Sequence, residues 1–236
     1  MLLRDVVTRV TAILFVVSEH GYWAEECVDP LTTLSDAGVE ITVATPTGEP
    51  PVVDDMSLDP DEVGEETAEH VRTVIDSDER LADPIALADA VADDYDAVFF
   101  PGGHGVEWDV TQDHHARELL SETVAGEDGK ALVVCHAVGL LAFTRDADGD
   151  FLAADRTVTG FPNAWEEGIV DDRDLLPDGR KLPYWVEDEV RAVGANWDAE
   201  LDADTSVQVD GDLVTGRGPE SSHAAARTLL DELGVA

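Results

Sequence analysis

Lysine is nearly missing from this chain. Of 236 residues only Lys130 and Lys181 carry it, and lysine plus arginine total 14 against 53 aspartates and glutamates, a formal net charge of -39. Nucleic acid and anionic membrane surfaces are therefore not expected partners, because either would be repelled. Cysteine is equally sparse. Cys27 and Cys135 cannot build a disulfide framework, and no Cys/His group has zinc-finger spacing. Long hydrophobic runs are lacking too. The stretch Ala12 to Val17 is too short to cross a bilayer and has no signal-peptide layout, so a soluble, cytoplasmic protein is expected.

The apolar content of 44% is enough for a full core and excludes a disordered chain. The length suits one domain spanning residues 1–236. The carboxylates are spread along the whole chain, about one for every 200 Å² of folded surface. Such a surface repels itself, and salt screens the repulsion. An acidic mesophilic protein is the plain reading. With lysine so scarce, adaptation to a saline cytoplasm is the sharper one.

Apolar strand-like runs alternate with amphipathic helical stretches, which predicts an α/β fold with a mostly parallel sheet. Strands are predicted at 11–17, 39–44, 97–100, 131–134 and 157–159, and helices at 24–37, 113–125, 163–170, 183–193 and 219–233. Gly38 sits where a helix C-cap belongs. Residues 49–94 are polar and acidic, with short helical pieces around 60–76 and 84–92, and read as an excursion off the sheet. Near the end, 206–209 and 213–215 predict a hairpin across Asp210-Gly211 with a type I′ turn.

Four segments at strand ends could carry chemistry. In Leu132-Val-Val-Cys135-His136-Ala-Val-Gly139 a buried strand ends at a cysteine and a helix follows, the layout of a nucleophile elbow. A thiol there lies at a helix N-terminus, which favours thiolate, although a lone cysteine is commonly just a small buried hydrophobe. In Phe99-Phe100-Pro101-Gly102-Gly103-His104-Gly105 the paired glycines permit a turn whose backbone N–H groups face an anion, as in an oxyanion hole. Gly21-Tyr-Trp-Ala-Glu25-Glu26-Cys27 puts a glutamate just after the first strand. Thr159-Gly160-Phe161-Pro162-Asn163-Ala164-Trp165-Glu166-Glu167 puts a carboxylate where it could orient His136. In so acidic a chain, a solvated surface acid is the alternative for each of these glutamates. His20, His70 and His223 show no ligand spacing, His114 and His115 lie at the start of a helix and are expected to be exposed, and a metal site using His104 stays open without support.

These pieces in this order resemble the ThiJ/PfpI superfamily, and within it the heat-shock chaperone, glyoxalase III and deglycase branch. The resemblance runs from about residue 11 to 233. It rests on Gly21-Tyr-Trp-Ala-Glu-Glu, Ala97-Val-Phe-Phe-Pro-Gly-Gly-His-Gly, Val134-Cys-His, Val158-Thr-Gly-Phe, Leu182-Pro-Tyr-Trp-Val-Glu-Asp-Glu and Leu213-Val-Thr-Gly-Arg-Gly-Pro-Glu-Ser-Ser. It implies a flavodoxin-like three-layer α/β sandwich, with helices on both faces of a mostly parallel sheet, and a homodimer. By position it implies Cys135 as nucleophile, His136 as its acid/base partner, Glu26 as the buried carboxyl at the thiol, and Glu166 (with Glu167 as the register alternative) as the triad acid. It likewise implies Gly102, Gly103 and His104 as the oxyanion and substrate loop, with the N–H groups of Gly103 and His136 as donors. Ala137-Val138 departs from the Gly-Pro common in that branch. The implied activity needs no cofactor and no metal: conversion of methylglyoxal to lactate, or removal of early glycation adducts. A cysteine amidase or peptidase, and a holdase or redox sensor, are the alternatives.

Overall fold

The central strands are apolar on both sides because both faces of their sheet are covered. The computed structural model describes residues 10–173, 181–198, 200–201, 203 and 205–235. The remainder of the expected 1–236 span lies outside them. In chain order the strands are β1 (Ala12–Val16), β2 (Glu40–Thr45), β3 (Ile85–Ala86), β4 (Ala97–Phe100), β5 (Lys130–Val134), β6 (Thr157–Val158), β7 (Asn196–Trp197), β8 (Val207–Asp210) and β9 (Leu213–Gly216). Seven of them form one sheet in the order β3-β2-β1-β4-β5-β9-β8. All neighbours are parallel except β8, which runs antiparallel to β9.

Alternate residues along each strand feed two separate cores. Ile13, Phe15, Phe99, Leu132 and Val134 pack with Cys27, Leu31 and Leu34 of the helix Ala24–Asp36 and with Ala225, Ala226 and Leu229 of the helix Pro219–Leu233. Phe15 and Phe99 meet edge to face with ring centroids 4.7 Å apart, a favoured aromatic arrangement. Leu14, Val16, Val98, Phe100, Ala131 and Val133 face the other way, onto Ala116, Leu119 and Leu120 of the helix His114–Ala125 and onto Val186 and Val190. This is the three-layer, flavodoxin-like arrangement that the sequence predicts. The chain order reverses direction across the sheet between β1 and β4, so the carboxyl ends of β1, β4 and β5 open onto one crevice, the place where open α/β sheets bind ligands.

Some local expectations need correction. Residues 84–92 are not α-helical and hold the 3-10 turn Leu87–Asp89: Ile85–Ala86 pair with Ala44 and Thr45, so the 49–94 segment returns to the sheet as its edge strand. The helical piece at 60–76 is two helices, Pro60–Val63 and Glu65–Ser77, divided at Gly64 with φ of 86°. The strand at 157–159 leaves the main sheet and pairs with Asn196–Trp197. The hairpin turns one residue later than predicted, on Gly211-Asp212. Only Gly211 there has positive φ (66°), which fits a type II′ rather than a type I′ turn. Gly38, with φ of 79°, follows the first helix as expected and closes it through bonds from its own N–H to the Ser35 carbonyl and from the Val39 N–H to that of Leu34.

Candidate active site

The elbow is sharp because one non-glycine residue takes a left-handed conformation. Val134 is extended, at φ -123° and ψ 144°, whereas Cys135 has φ of 59°. Such a conformation in a side-chain-bearing residue costs energy and persists where its surroundings over-determine it. Here β5 is buried on both sides, and the turn Cys135–Gly139 is wedged against its neighbours. A Cβ at Gly139 would lie 2.7 Å from the Tyr184 ring, and one at Gly160 would lie 2.8 Å from Val138. The Ala137-Val138 departure is therefore accommodated: both residues are buried, and Val138 packs onto a position that only glycine can occupy.

His136 links two functional groups. Its Nδ1 lies 3.2 Å from the Cys135 Sγ and its Nε2 lies 2.8 Å from Glu166 Oε2. Phe161 stacks on the imidazole with centroids 4.4 Å apart and fixes the ring plane. Glu166 is buried, one turn into the helix Asn163–Arg173, while Glu167 is exposed, so Glu166 is the carboxylate that reaches the histidine.

The glycine loop after β4 is laced to the loop after β1. The Trp23 N–H donates to the Gly102 carbonyl at 3.0 Å, and the Gly105 N–H donates to the Gly21 carbonyl at 2.9 Å. Backbone N–H groups of Gly103 and His136 both point at the Cys135 sulfur. Gly102 must be glycine for want of space, since a Cβ there would lie 2.5 Å from Glu26 Oε2 and 2.6 Å from the Cys135 Cβ. Gly102→Ala should therefore push these two groups apart, lowering turnover by about tenfold or more and stability by about 1–3 kcal/mol. Steady-state kinetics with a thermal melt checks it, and an alanine variant with wild-type rate and Tm would refute this packing argument.

Burial dominates the electrostatics. Glu26 has no exposure and, among the described residues, its oxygens make no hydrogen bond of ordinary geometry. It faces the Cys135 thiol and the Gly102 N–H, and desolvation pushes its carboxyl up to about 8. Burial also pushes the Cys135 thiol well above its usual value, and the Glu26 carboxyl adds to the effect. The sequence expectation of a helix-stabilised thiolate is thus reversed. The helical stretch at the elbow is short, a 3-10 segment at Cys135–Gly139 running into one α turn at Leu140–Phe143, and desolvation outweighs its dipole. Glu26 and Cys135 are best described as one buried pair that holds its protons at neutral pH. Glu26 also sets a stability trend. Its folded-state affinity for the proton exceeds that of the unfolded chain, whose carboxyl ionises near 4.5, so its contribution to stability falls as pH rises from there toward about 8. Glu26→Gln removes this penalty. Its Tm gain over wild type should be larger at about pH 8 than at about pH 5, by several degrees. Paired melts would show it, and an equal difference at both pH values would contradict the buried-acid assignment.

The structure adds groups that sequence reasoning missed. His104 enters the site with its side chain as well as its backbone: Nδ1 faces Asp54 Oδ2 at 3.4 Å and Nε2 faces Glu166 Oε1 at 3.7 Å. Burial alone would lower this imidazole, but the two carboxylates outweigh it and raise it to about 9. His136 moves the other way, lowered by burial and by the charge of His104. Burial would raise Glu166, yet its two histidine partners bring it down to about 2. Asp54 lies fifty residues from His104 in a polar segment, and nothing in its local pattern marks it. Glu107 is a second wholly buried acid, raised to about 9 by desolvation first and then by Glu166. Above the thiol lies a cavity of about 50 Å³ lined by Trp23, Glu26, Gly103, His104, Cys135, His136, Phe161, Ile169 and Pro219.

A family profile described as DJ-1/PfpI matches residues 11–232. The chain belongs to the DJ-1/PfpI family. Among curated DJ-1/PfpI relatives, the protein/nucleic acid deglycase HchA of Pseudomonas aeruginosa is 30% identical over 217 residues, covering 87% of this chain and 72% of that protein. The glutathione-independent glyoxalase HSP31 of Saccharomyces cerevisiae is 28% identical over 220 residues, covering 92% and 90%. In fold, glyoxalase III from Candida albicans superposes with a TM-score of 0.80 at 23% identity, covering 94% of this chain and 97% of that one.

Proposed function

We propose that this protein is a glutathione-independent glyoxalase or deglycase that works through Cys135 and needs no cofactor. The observation that carries the reading is the line Cys135–His136–Glu166 with protonated Glu26 also facing the sulfur and two backbone N–H groups aimed at it. The names of the two relatives support it. With methylglyoxal, the Cys135 thiol adds to the aldehyde carbon and gives a hemithioacetal. Its alkoxide is met by the N–H groups of Gly103 and His136. A base, either Glu26 once it has given its proton to the hemithioacetal alkoxide or His136, removes the C1 hydrogen. The resulting enediol is reprotonated at C2, giving a lactoyl thioester with no net oxidation. Water then cleaves the thioester, releasing lactate and restoring the thiol. His136 is kept neutral and so able to accept a proton, while Glu166 orients it and stabilises its charged form.

The cavity favours a small carbonyl over a peptide. A volume of about 50 Å³ walled by Trp23, Phe161, Ile169 and Pro219 suits a three-carbon dicarbonyl, or the end of a glycated side chain. The test is a side-by-side assay in molar salt without added thiol, using methylglyoxal, a methylglyoxal-modified amino acid and chromogenic amides. Turnover of the first or second supports the reading; turnover confined to the amides contradicts it. The acidic surface supports a saline working environment. A homodimer, which the family resemblance implies, is the expected species in light scattering under the same conditions.

A further inference from the structure

Two polar atoms beside the thiol have no hydrogen-bond partner among the described residues. His104 Nε2 and Glu166 Oε1 are buried and face each other at 3.7 Å, beyond hydrogen-bond distance, and their residues are only 4% and 2% exposed. Buried groups of this kind are normally satisfied, so each calls for an explanation. His136 Nε2 lies 2.8 Å from the other oxygen of Glu166, and the His104 and His136 rings are 4.5 Å apart at their centroids. One ligand atom from each of the three residues falls within 4.8 Å of the other two. Ligand atoms about 2.0–2.1 Å from a tetrahedral ion stand about 3.3 Å apart, and these separations bracket that spacing.

We propose that His104, His136 and Glu166 form a zinc-binding site that overlaps the thiol centre and leaves Cys135 outside the coordination shell. Two imidazoles and one carboxylate suit zinc and other borderline transition metals, whereas magnesium and calcium want oxygen ligands. His104 and His136 both line the cavity, from which water would supply the fourth ligand. Cys135 is excluded by geometry: its sulfur lies against Nδ1 of His136, on the opposite side of the ring from the Nε2 that faces Glu166. Asp54, on Nδ1 of His104, is placed to orient that ligand, as outer carboxylates do for zinc histidines. Zinc here would occupy the Nε2 of His136 and the Glu166 carboxylate together, switching off a thiol that needs them. That consequence rests on the proposed function; the binding does not.

The experiment is a zinc titration of the full chain by competition with a chromophoric chelator, in molar salt with excess magnesium to fill weak carboxylate sites. One tight zinc per chain is expected. It should survive in Cys135→Ser and in His114→Ala/His115→Ala, which removes the exposed His114–His115–Glu118 group, and weaken at least about tenfold in His104→Gln and Glu166→Gln. Cobalt in the wild-type protein, which needs no variant to fold, should give tetrahedral ligand-field bands and no thiolate charge-transfer band. Absence of a stoichiometric site, loss of it with Cys135 or with His114/His115, or a thiolate band would each overturn the proposal.

Discussion

Cys135→Ala is expected to lower glutathione-independent methylglyoxal turnover at least about a thousandfold, because no other group can form the hemithioacetal. Cys27 cannot substitute. It is fully buried among the apolar side chains between its helix and the sheet, and it is absent from the cavity lining. The fold should persist, because losing one buried sulfur from a turn held by Val138, Gly139 and Gly160 moves Tm by only a few degrees. Cys135→Ser, which keeps an oxygen nucleophile but a poorer one, should be nearly as inactive. Kinetics on folded variants decides the matter. A rate above about a tenth of wild type in Cys135→Ala would move the chemistry to the general bases alone.

Salt should have the other large effect. Removing salt lengthens the Debye distance from about 3 Å at 1 M to about 30 Å at 0.01 M, and a net charge of -39 then repels itself across the molecule. Few cations relieve it: Arg80, Lys130, Arg156 and Arg191 are already paired with Asp78, Glu232, Asp212 and Glu187. Tm is expected to fall by about 10 °C or more from molar to 0.01 M sodium chloride, about 3–5 kcal/mol for a chain of this size. A melt series checks it. A Tm independent of salt would mean that the carboxylates are compensated within the fold and would remove the argument for a saline habitat.

Much of this was legible in the sequence, for physical reasons that differ from segment to segment. β1, β4 and β5 are buried on both faces, so they read as unbroken apolar runs, and the chemistry-bearing loops follow them directly. The helix Pro219–Leu233 has proline at its start and glycine after its end, and its bounds match the prediction. Cys135 and His136 could be picked out because the local elbow pattern and the family resemblance agree on them, whereas Glu26 and Glu166 read locally as surface acids and are marked by the resemblance alone. What stayed hidden was long-range or two residues long. β3 is held by pairing to β2 rather than by its own propensity. The Asp54–His104 contact joins two loops across fifty residues, and the protonation of Glu26 depends on burial that no local pattern reveals. The thiolate expectation failed for the same reason, since it counted a helix dipole and not desolvation.

The most direct test is the stoichiometry of lactate formed per methylglyoxal consumed by the wild-type protein, in molar salt with no glutathione present. The Cys135–His136–Glu166 mechanism predicts one lactate for each methylglyoxal, because the internal transfer of hydrogen is redox-neutral and water alone completes it. Methylglyoxal left untouched by folded protein, or consumed without lactate, would contradict it.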